Sequence, residues 1–462
     1  LPYVLTFGWI MSTATPDAEY TGSLATTPWC FKLWMLAFSR ERFFDTLIAR
    51  YGDFVHYRGV LDFYLVNHPA LIKQVLQQTH DAFDKRSPLY DRFRRAFGSG
   101  LVVAEGDDWK LRRSIVQQIM GPARVEAFLQ PMLDAARHTL ARWEALSRSG
   151  EALDVAVDME QLTLEIVGRA LFHSAFDDAR ESIRHWTHVI DHYSSKPPLP
   201  VIRSAWFPSR LNRRLRTTLA EFHRFIQQTI DQRRADPPGK DIVSLLCAAD
   251  PADGRPRLSD AAVRDEVLGM IVGGHETSSV ALTWVWYELA RNPHVERRLH
   301  DEIDTVLGDR EMQADDAARL IYTRMVIDET LRLHPPFWFE NRNVTREVEL
   351  GGVTLPVGAM VAFSRYAVHR HKDFWSKPDT FDPERFRPGA EENRRSTYAS
   401  IPFGGGPRVC VGIHFAMLEL LVLVATLARR FRLIIDTNAR HEVSALLTMR
   451  LKHGLRAQAV QR

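Results

Sequence analysis

The chain has 462 residues, 45% apolar and 25% charged, an ordinary globular composition long enough to bury a large core. With 60 basic and 57 acidic residues its formal net charge is +3, too small for the concentrated basic face of a nucleic-acid binder. Cys30, Cys247 and Cys410 are too few and too scattered for a disulfide framework or a CxxC zinc site, which points to a reducing, cytoplasmic compartment.

In chain order, residues 1 to 11 lack the basic region and small-residue cleavage site of a signal peptide. No stretch reaches the roughly eighteen apolar residues of a membrane span. WCFKLWMLAF at 29–38 has the composition to lie on a membrane surface, although core packing or docking of an N-terminal arm, 1–44, is the commoner fate of such a segment. Residues 54–66 alternate and are rich in β-branched and aromatic residues, which predicts a hairpin. Helical periodicity covers 69–79, 107–120, 123–146, 155–173, 212–235, 259–291, 293–307, 321–334 and 411–430, and strand signals return only at about 348–363 and 432–455. The fold class is therefore mainly α with a small β part drawn from both ends of the sequence, in one interwoven domain over 45–462.

Residues 402–412, PFGGGPRVCVG, set a cysteine behind consecutive glycines. Each interior glycine costs roughly 0.5 to 1 kcal/mol relative to alanine, so Gly404, Gly405 and Gly406 mark a place of close approach to the backbone. Three readings of Cys410 compete: a small buried apolar residue, a nucleophile with His414 as its base, and a metal ligand kept as thiolate. The neighbours favour the third, because the apolar run after Cys410 is helical and unpaired amides at a helix N-terminus lower a thiol pKa. Arg408 presents a fixed fork for a carboxylate, and a thiolate beside such an arginine suggests haem.

Phe403, Gly406, Arg408, Cys410 and Gly412 fit the FxxGxRxCxG haem-ligand loop, and in this the chain resembles the cytochrome P450 superfamily. The resemblance implies haem b (iron protoporphyrin IX) between a long central helix and the cysteine loop, with Cys410 as axial iron ligand and Arg408 as a propionate partner. Within the helix at 259–291 lies GGHETSS, residues 273–279. As a loop between two helices it would be capped by Thr277 or Ser279, yet neither has Glu or Gln three residues on. As one helix that opens locally, it sets Gly273 and Thr277 on one face, with room for a diatomic ligand. The stretch resembles the family's (A/G)GxxT element, which implies that Thr277 and Glu276 serve oxygen activation and proton delivery and that His275 is structural.

By spacing alone Glu329 and Arg332 are a surface pair worth about a few tenths of a kcal/mol. The family has instead a buried ExxR pair joined by an arginine of a PERF segment, here Pro383 to Phe386, which implies that Glu329, Arg332 and Arg385 anchor the haem-binding core. Trp109 and Arg113 resemble the family's WxxxR pair that donates to a propionate, and Arg342 resembles a third propionate arginine.

The resemblance implies a monooxygenase that uses O2 and two externally supplied electrons to hydroxylate or epoxidise a mostly apolar small molecule, such as a terpenoid, fatty acid or aromatic natural product. The chain shows no flavin or iron–sulfur module, so the expected donor is a separate ferredoxin or flavodoxin-type protein with its reductase. It would dock near Cys410, where Lys110, Arg112 and Arg408 supply positive charge. By analogy the substrate meets residues 85–103, 175–208, the 268–277 face, PPFWFEN at 335–341 and LLT at 446–448. Phe337, Trp338, Phe339 and Leu447 then line the pocket, although core packing explains such aromatics equally well. A peroxide-using or isomerising haem-thiolate enzyme is an alternative against which Glu276 and Thr277 count, and a haem-based gas sensor would call for an output module. A cysteine hydrolase lacks an orienting partner for His414.

Overall fold

The computed structural model describes residues 40–58, 62–173, 175–195, 210–235, 239, 241–249, 254, 257–390, 396–436, 439 and 441–462. The apolar segment 29–38, the hairpin tip and the 196–208 part of the expected substrate face lie outside the described residues. The main helices are α1 (Arg40–Tyr51), α2 (Pro88–Phe97), α3 (Gly106–Ile119), α4 (Leu129–Ser149), α5 (Val155–Phe172) and α6 (Ala175–Ser195). They continue with α7 (Arg210–Ala235), α8 (Asp260–Arg291), α9 (Pro293–Leu307), α10 (Ile321–Leu333) and α11 (Ile413–Ala428).

α8 is the axis of the molecule. Its first turn is capped by Ser259, which accepts the amide of Ala262 at 3.2 Å, and it runs 32 residues without a break. The expected local opening at 273–279 is absent: the helix continues through it, and the Thr277 hydroxyl donates to the Gly273 carbonyl at 2.7 Å. α8 packs along α5, where the Thr163 hydroxyl donates to the His275 carbonyl at 3.1 Å. Gly274 permits the approach, since a Cβ there would lie 3.1 Å from Val167.

The strands are β1 (Phe54–Arg58), β2 (Asp62–Val66), β3 (Phe83–Asp84), β4 (Leu153–Asp154), β5 (Phe339–Val344), β6 (Val348–Leu350), β7 (Val353–Leu355) and β8 (Met360–Ser364). Four more follow: β9 (Phe431–Ile435), β10 (Val443–Ala445), β11 (Met449–Leu451) and β12 (Arg456–Gln461). One sheet has the order β1-β2-β8-β5-β3, with β2 and β8 parallel and Tyr64 opposite Val361. β12 lies between β4 and β9, and β6-β7 and β10-β11 are hairpins. Sheet and helices interlock through segments far apart in sequence. The boundary expected at 44/45 falls inside α1, whose Phe43, Phe44 and Leu47 are buried with Tyr57, Phe63 and Trp338 in one cluster. Among the described residues no helix is long and apolar enough to cross a membrane.

Candidate active site

α8, the 402–412 loop and the 98–103 segment enclose a cavity of about 380 Å³. Cys410 opens onto it, as do Gly273, Glu276 and Thr277 of α8. The glycine run has a cause in the protein itself. Gly406 holds a left-handed φ of 65°, and a Cβ there would lie 1.8 Å from the Leu76 carbonyl oxygen. At Gly405 a Cβ would come within 2.7 Å of the Tyr398 ring. These approaches turn the chain so that the Cys410 amide closes the loop on the Phe403 carbonyl at 2.9 Å, and Gly412 then starts α11.

The Cys410 sulfur faces the internal cavity rather than bulk solvent. Burial pushes its thiol above the ordinary value, opposed by the Gly412 amide and by the charges of Arg113 and Arg365. The lowered thiol expected from the helix terminus is thus outweighed by desolvation in this arrangement.

Cations gather at one end of the cavity. Arg113 donates to the Val409 carbonyl at 2.7 Å, which ties α3 to the cysteine loop. Arg408 lies 4.5 Å over the Trp109 ring, donates to the Ala104 carbonyl at 2.9 Å and pairs with Glu105. Arg365 donates to the Phe337 carbonyl at 2.7 Å and pairs with Glu340, while its buried Nε has no hydrogen-bond partner among the described residues. Lys85, fully enclosed, donates to the Val102 carbonyl at 3.0 Å, and burial with the nearby Arg342 pushes its ammonium down to about 7. Burial alone would raise Glu340, but Arg342, Arg365 and Lys85 hold it down to about 2.

Arg342 itself does not line the cavity: it is buried against Glu340 at 2.5 Å and the Tyr90 hydroxyl at 3.4 Å. Arg365 and Lys85 line it instead, Lys85 from the charged stretch FDKR and Arg365 from just after β8, and neither stands in a motif of the sequence. Of the expected pocket residues Phe337 and Leu447 reach the cavity. Trp338 and Phe339 do not, because both pack on α1, with centroids 5.8 and 4.8 Å from Phe44. Glu276 accepts from the Thr448 hydroxyl at 2.8 Å and meets Arg450 at 3.4 Å.

A model of the family described as "Cytochrome P450" matches residues 26–453. The chain belongs to the cytochrome P450 family. It is 32% identical over 433 residues to a cyclooctat-9-en-7-ol 5-monooxygenase of Streptomyces melanosporofaciens, covering 91% of this chain and 92% of that one. To a pentalenene oxygenase of Streptomyces avermitilis it is 32% identical over 428 residues, covering 92% and 93%. Among solved structures, the cytochrome P450DA haem domain superposes with a TM-score of 0.83 at 25% identity, over 95% of this chain and 97% of that chain. This P450 is therefore a monooxygenase, an oxidoreductase of the EC 1.14 type, with haem (iron protoporphyrin IX) as its cofactor, and it draws on O2 and a redox partner.

The residues present fit haem. A cysteine on one wall offers the thiolate, and Lys85, Arg113, Arg365 and Arg408 outnumber Glu105 and Glu340 at the end where two carboxylates would sit. The unpartnered Arg365 Nε is a donor that a carboxylate would satisfy. Glu329 and Arg332 are both 0% exposed and joined by a two-armed pair at 2.6 and 2.7 Å. Arg385 adds a contact to Glu329 at 3.4 Å. Of the cations expected to greet an electron donor, Arg112 is buried against Glu266 at 2.8 Å, whereas Lys110 is exposed and paired with Asp107 at 2.8 Å.

Proposed function

We propose that this P450 hydroxylates or epoxidises an apolar terpenoid in the reducing cytoplasm, with electrons from a separate ferredoxin or flavodoxin-type donor. The observation that carries the reading is one cavity shared by Cys410, by the Gly273–Thr277 face of α8 and by a cluster of cations. Cys410 would hold the iron, and Trp109, Arg113, Arg365 and Arg408 would take the propionates, with Gly273, Phe403, Gly406 and Gly412 shaping the cradle. Haem so held supplies oxygen activation, favoured by electron donation from the thiolate.

The chain's own residues provide the setting. Thr277 offers a hydroxyl at the cavity, fixed by its bond to the Gly273 carbonyl. Glu276, next to it, is bonded to Thr448, and Arg450, whose side chain is 35% exposed, gives that carboxylate a polar link toward solvent. Elsewhere the wall is apolar, with Phe93, Phe97, Leu101, Met270 and Phe337, so that water is kept from the reacting bond. The names of the relatives, which specify an unsaturated hydrocarbon and an unsaturated alcohol, support an apolar carbon skeleton.

The test is the absorption spectrum of the reduced, CO-bound protein with Cys410→His as control, followed by titration with terpene hydrocarbons and alcohols. A strongly red-shifted Soret band lost in the variant, and a Soret shift on adding a terpene, support the reading. A histidine-type band in the parent removes Cys410 as ligand, and a parent that responds to fatty acids but to no terpene removes the substrate class.

A further inference from the structure

Gly269 stands inside α8, one turn before Gly273 and on the same face. Glycine in a helix interior is less stable than alanine, so its presence there needs a cause. Two other helical glycines, Gly168 and Gly274, have one in view. At Gly168 a Cβ would lie 2.1 Å from the Phe176 ring, and at Gly274 it would press on Val167. At Gly269 a Cβ meets nothing within 4 Å, the backbone is not left-handed, and the residue faces the active-site cavity. No neighbour among the described residues requires a glycine here, which leaves the cavity's occupant as the reason.

The rest of that region is apolar and held firmly. Phe93 lies 5.2 Å from Phe97 and 6.4 Å from Phe337, centroid to centroid, and all three rings line the same cavity. Leu101 is pinned to α8 through its amide, which donates to Glu266 Oε1 at 2.9 Å, and Arg112 donates to the same oxygen at 2.8 Å. The wall therefore has little freedom to move outward around a bulky guest, and space must come from residues with small side chains.

We infer that Gly269 is a specificity-determining residue: by leaving the backbone of α8 bare, it lets a rigid fused-ring skeleton lie against the helix, so that compact polycycles are taken in preference to flexible chains. The inference rests on the reading of this cavity as a haem pocket for an apolar substrate. A flexible chain passes an added methyl or isopropyl group by rotating its own bonds. A fused ring system has no such adjustment, and overpacking falls on it in full.

The experiment uses holoprotein carrying Gly269→Ala or Gly269→Val, titrated with imidazole, 1-dodecylimidazole and 1-adamantylimidazole while the Soret shift of nitrogen binding is followed, with melting temperatures in parallel. Expected for Gly269→Val is a loss of about ten-fold or more for the adamantyl ligand, with imidazole and the dodecyl ligand changed by less than about three-fold. Gly269→Ala, which meets no neighbour, raises the melting temperature and still weakens the adamantyl ligand, and it carries the test if the valine variant fails to take up haem. Unchanged affinity for all three probes overturns the inference, and equal loss of the ring and chain probes overturns the preference for polycycles. No Soret shift in the parent with imidazole sinks the haem-pocket reading itself, and it is seen before any variant is compared.

Discussion

Glu419 on α11 is 0% exposed, and among the described residues neither of its carboxylate oxygens has a hydrogen-bond partner. Burial pushes its carboxyl up from 4.5 to about 8; the nearby Ser278 hydroxyl favours the ionised form but makes no bond of proper geometry. The native protein thus keeps a proton that the unfolded chain gives up above about 4.5. Because the native state binds more protons in this window, stability is full below 4.5 and falls as pH rises toward 8. Between 4.5 and pH 7, at about 1.4 kcal/mol per unit, the loss is about 3 kcal/mol.

Glu419→Gln removes the titration and keeps the shape. Urea unfolding of parent and variant holoprotein, followed by far-UV circular dichroism at pH 5, 6, 7 and 8, should show the variant gaining on the parent by about 3 kcal/mol across the series. The amide's own burial shifts the offset between the two curves but not their relative slope. Parallel curves from pH 5 to 8 would mean that Glu419 is ionised in the folded protein and would refute the reasoning.

Three further outcomes follow from the geometry. Arg332→Ala strips the buried Glu329 of its two-armed partner and frees the carbonyls of His369 and Pro378, so a loss of about 3 to 5 kcal/mol is expected, read as loss of soluble, Soret-absorbing protein. Gly406→Ala sets a Cβ against the Leu76 carbonyl in a left-handed backbone, and should cost more than about 1 kcal/mol and lower the haem-to-protein ratio. Burial, with the charge of His188 adding to it, pushes the His275 imidazole down to about 3, so the native state binds fewer protons than the unfolded chain between 3 and 6.5. Stability is then lost as pH falls through that window, and His275→Gln should flatten the acid limb of a melting-temperature profile.

The cysteine loop was legible because fixed residue types stand at fixed short spacings, and α8 because 32 residues of apolar pattern outweigh a polar interruption. α2 was not, since PLYDRFRRAF sets its aromatic residues among charges, and two of them, Phe93 and Phe97, turn to the cavity. The choice between Arg342 and Arg365 hangs on strand geometry. Arg342 shares its side of β5 with Glu340, Arg365 follows β8, and both pair with the Glu340 carboxylate, so which of them reaches the cavity is set by the pairing of β5 with β8. Trp338 and Phe339 turn to α1, a helix whose pattern the sequence hides. The glycine run reads as a cradle for a cofactor, but its close neighbour is the carbonyl of Leu76, some three hundred residues earlier. Each of these depends on a partner distant in sequence.

α8 shows how the protein reconciles a rigid frame with an open site. Its C-terminal half buries Leu282, Trp284, Val285, Trp286 and Leu289 almost completely. Each such side chain contributes about 1.5 to 3 kcal/mol, against about 1 kcal/mol lost at each of Gly269, Gly273 and Gly274. The hydroxyls of Thr277, Ser279 and Thr283 bond to carbonyls of the preceding turn, at 2.7, 2.9 and 2.8 Å. They therefore need no partner outside the helix, whereas Glu276 reaches Thr448 and Arg450 beyond it. Anchorage and chemistry are in this way divided along one element. Truncating Trp284 or Trp286 should unfold the domain, whereas changes at Gly269 or Thr277 should alter what the cavity binds and does while leaving the frame in place.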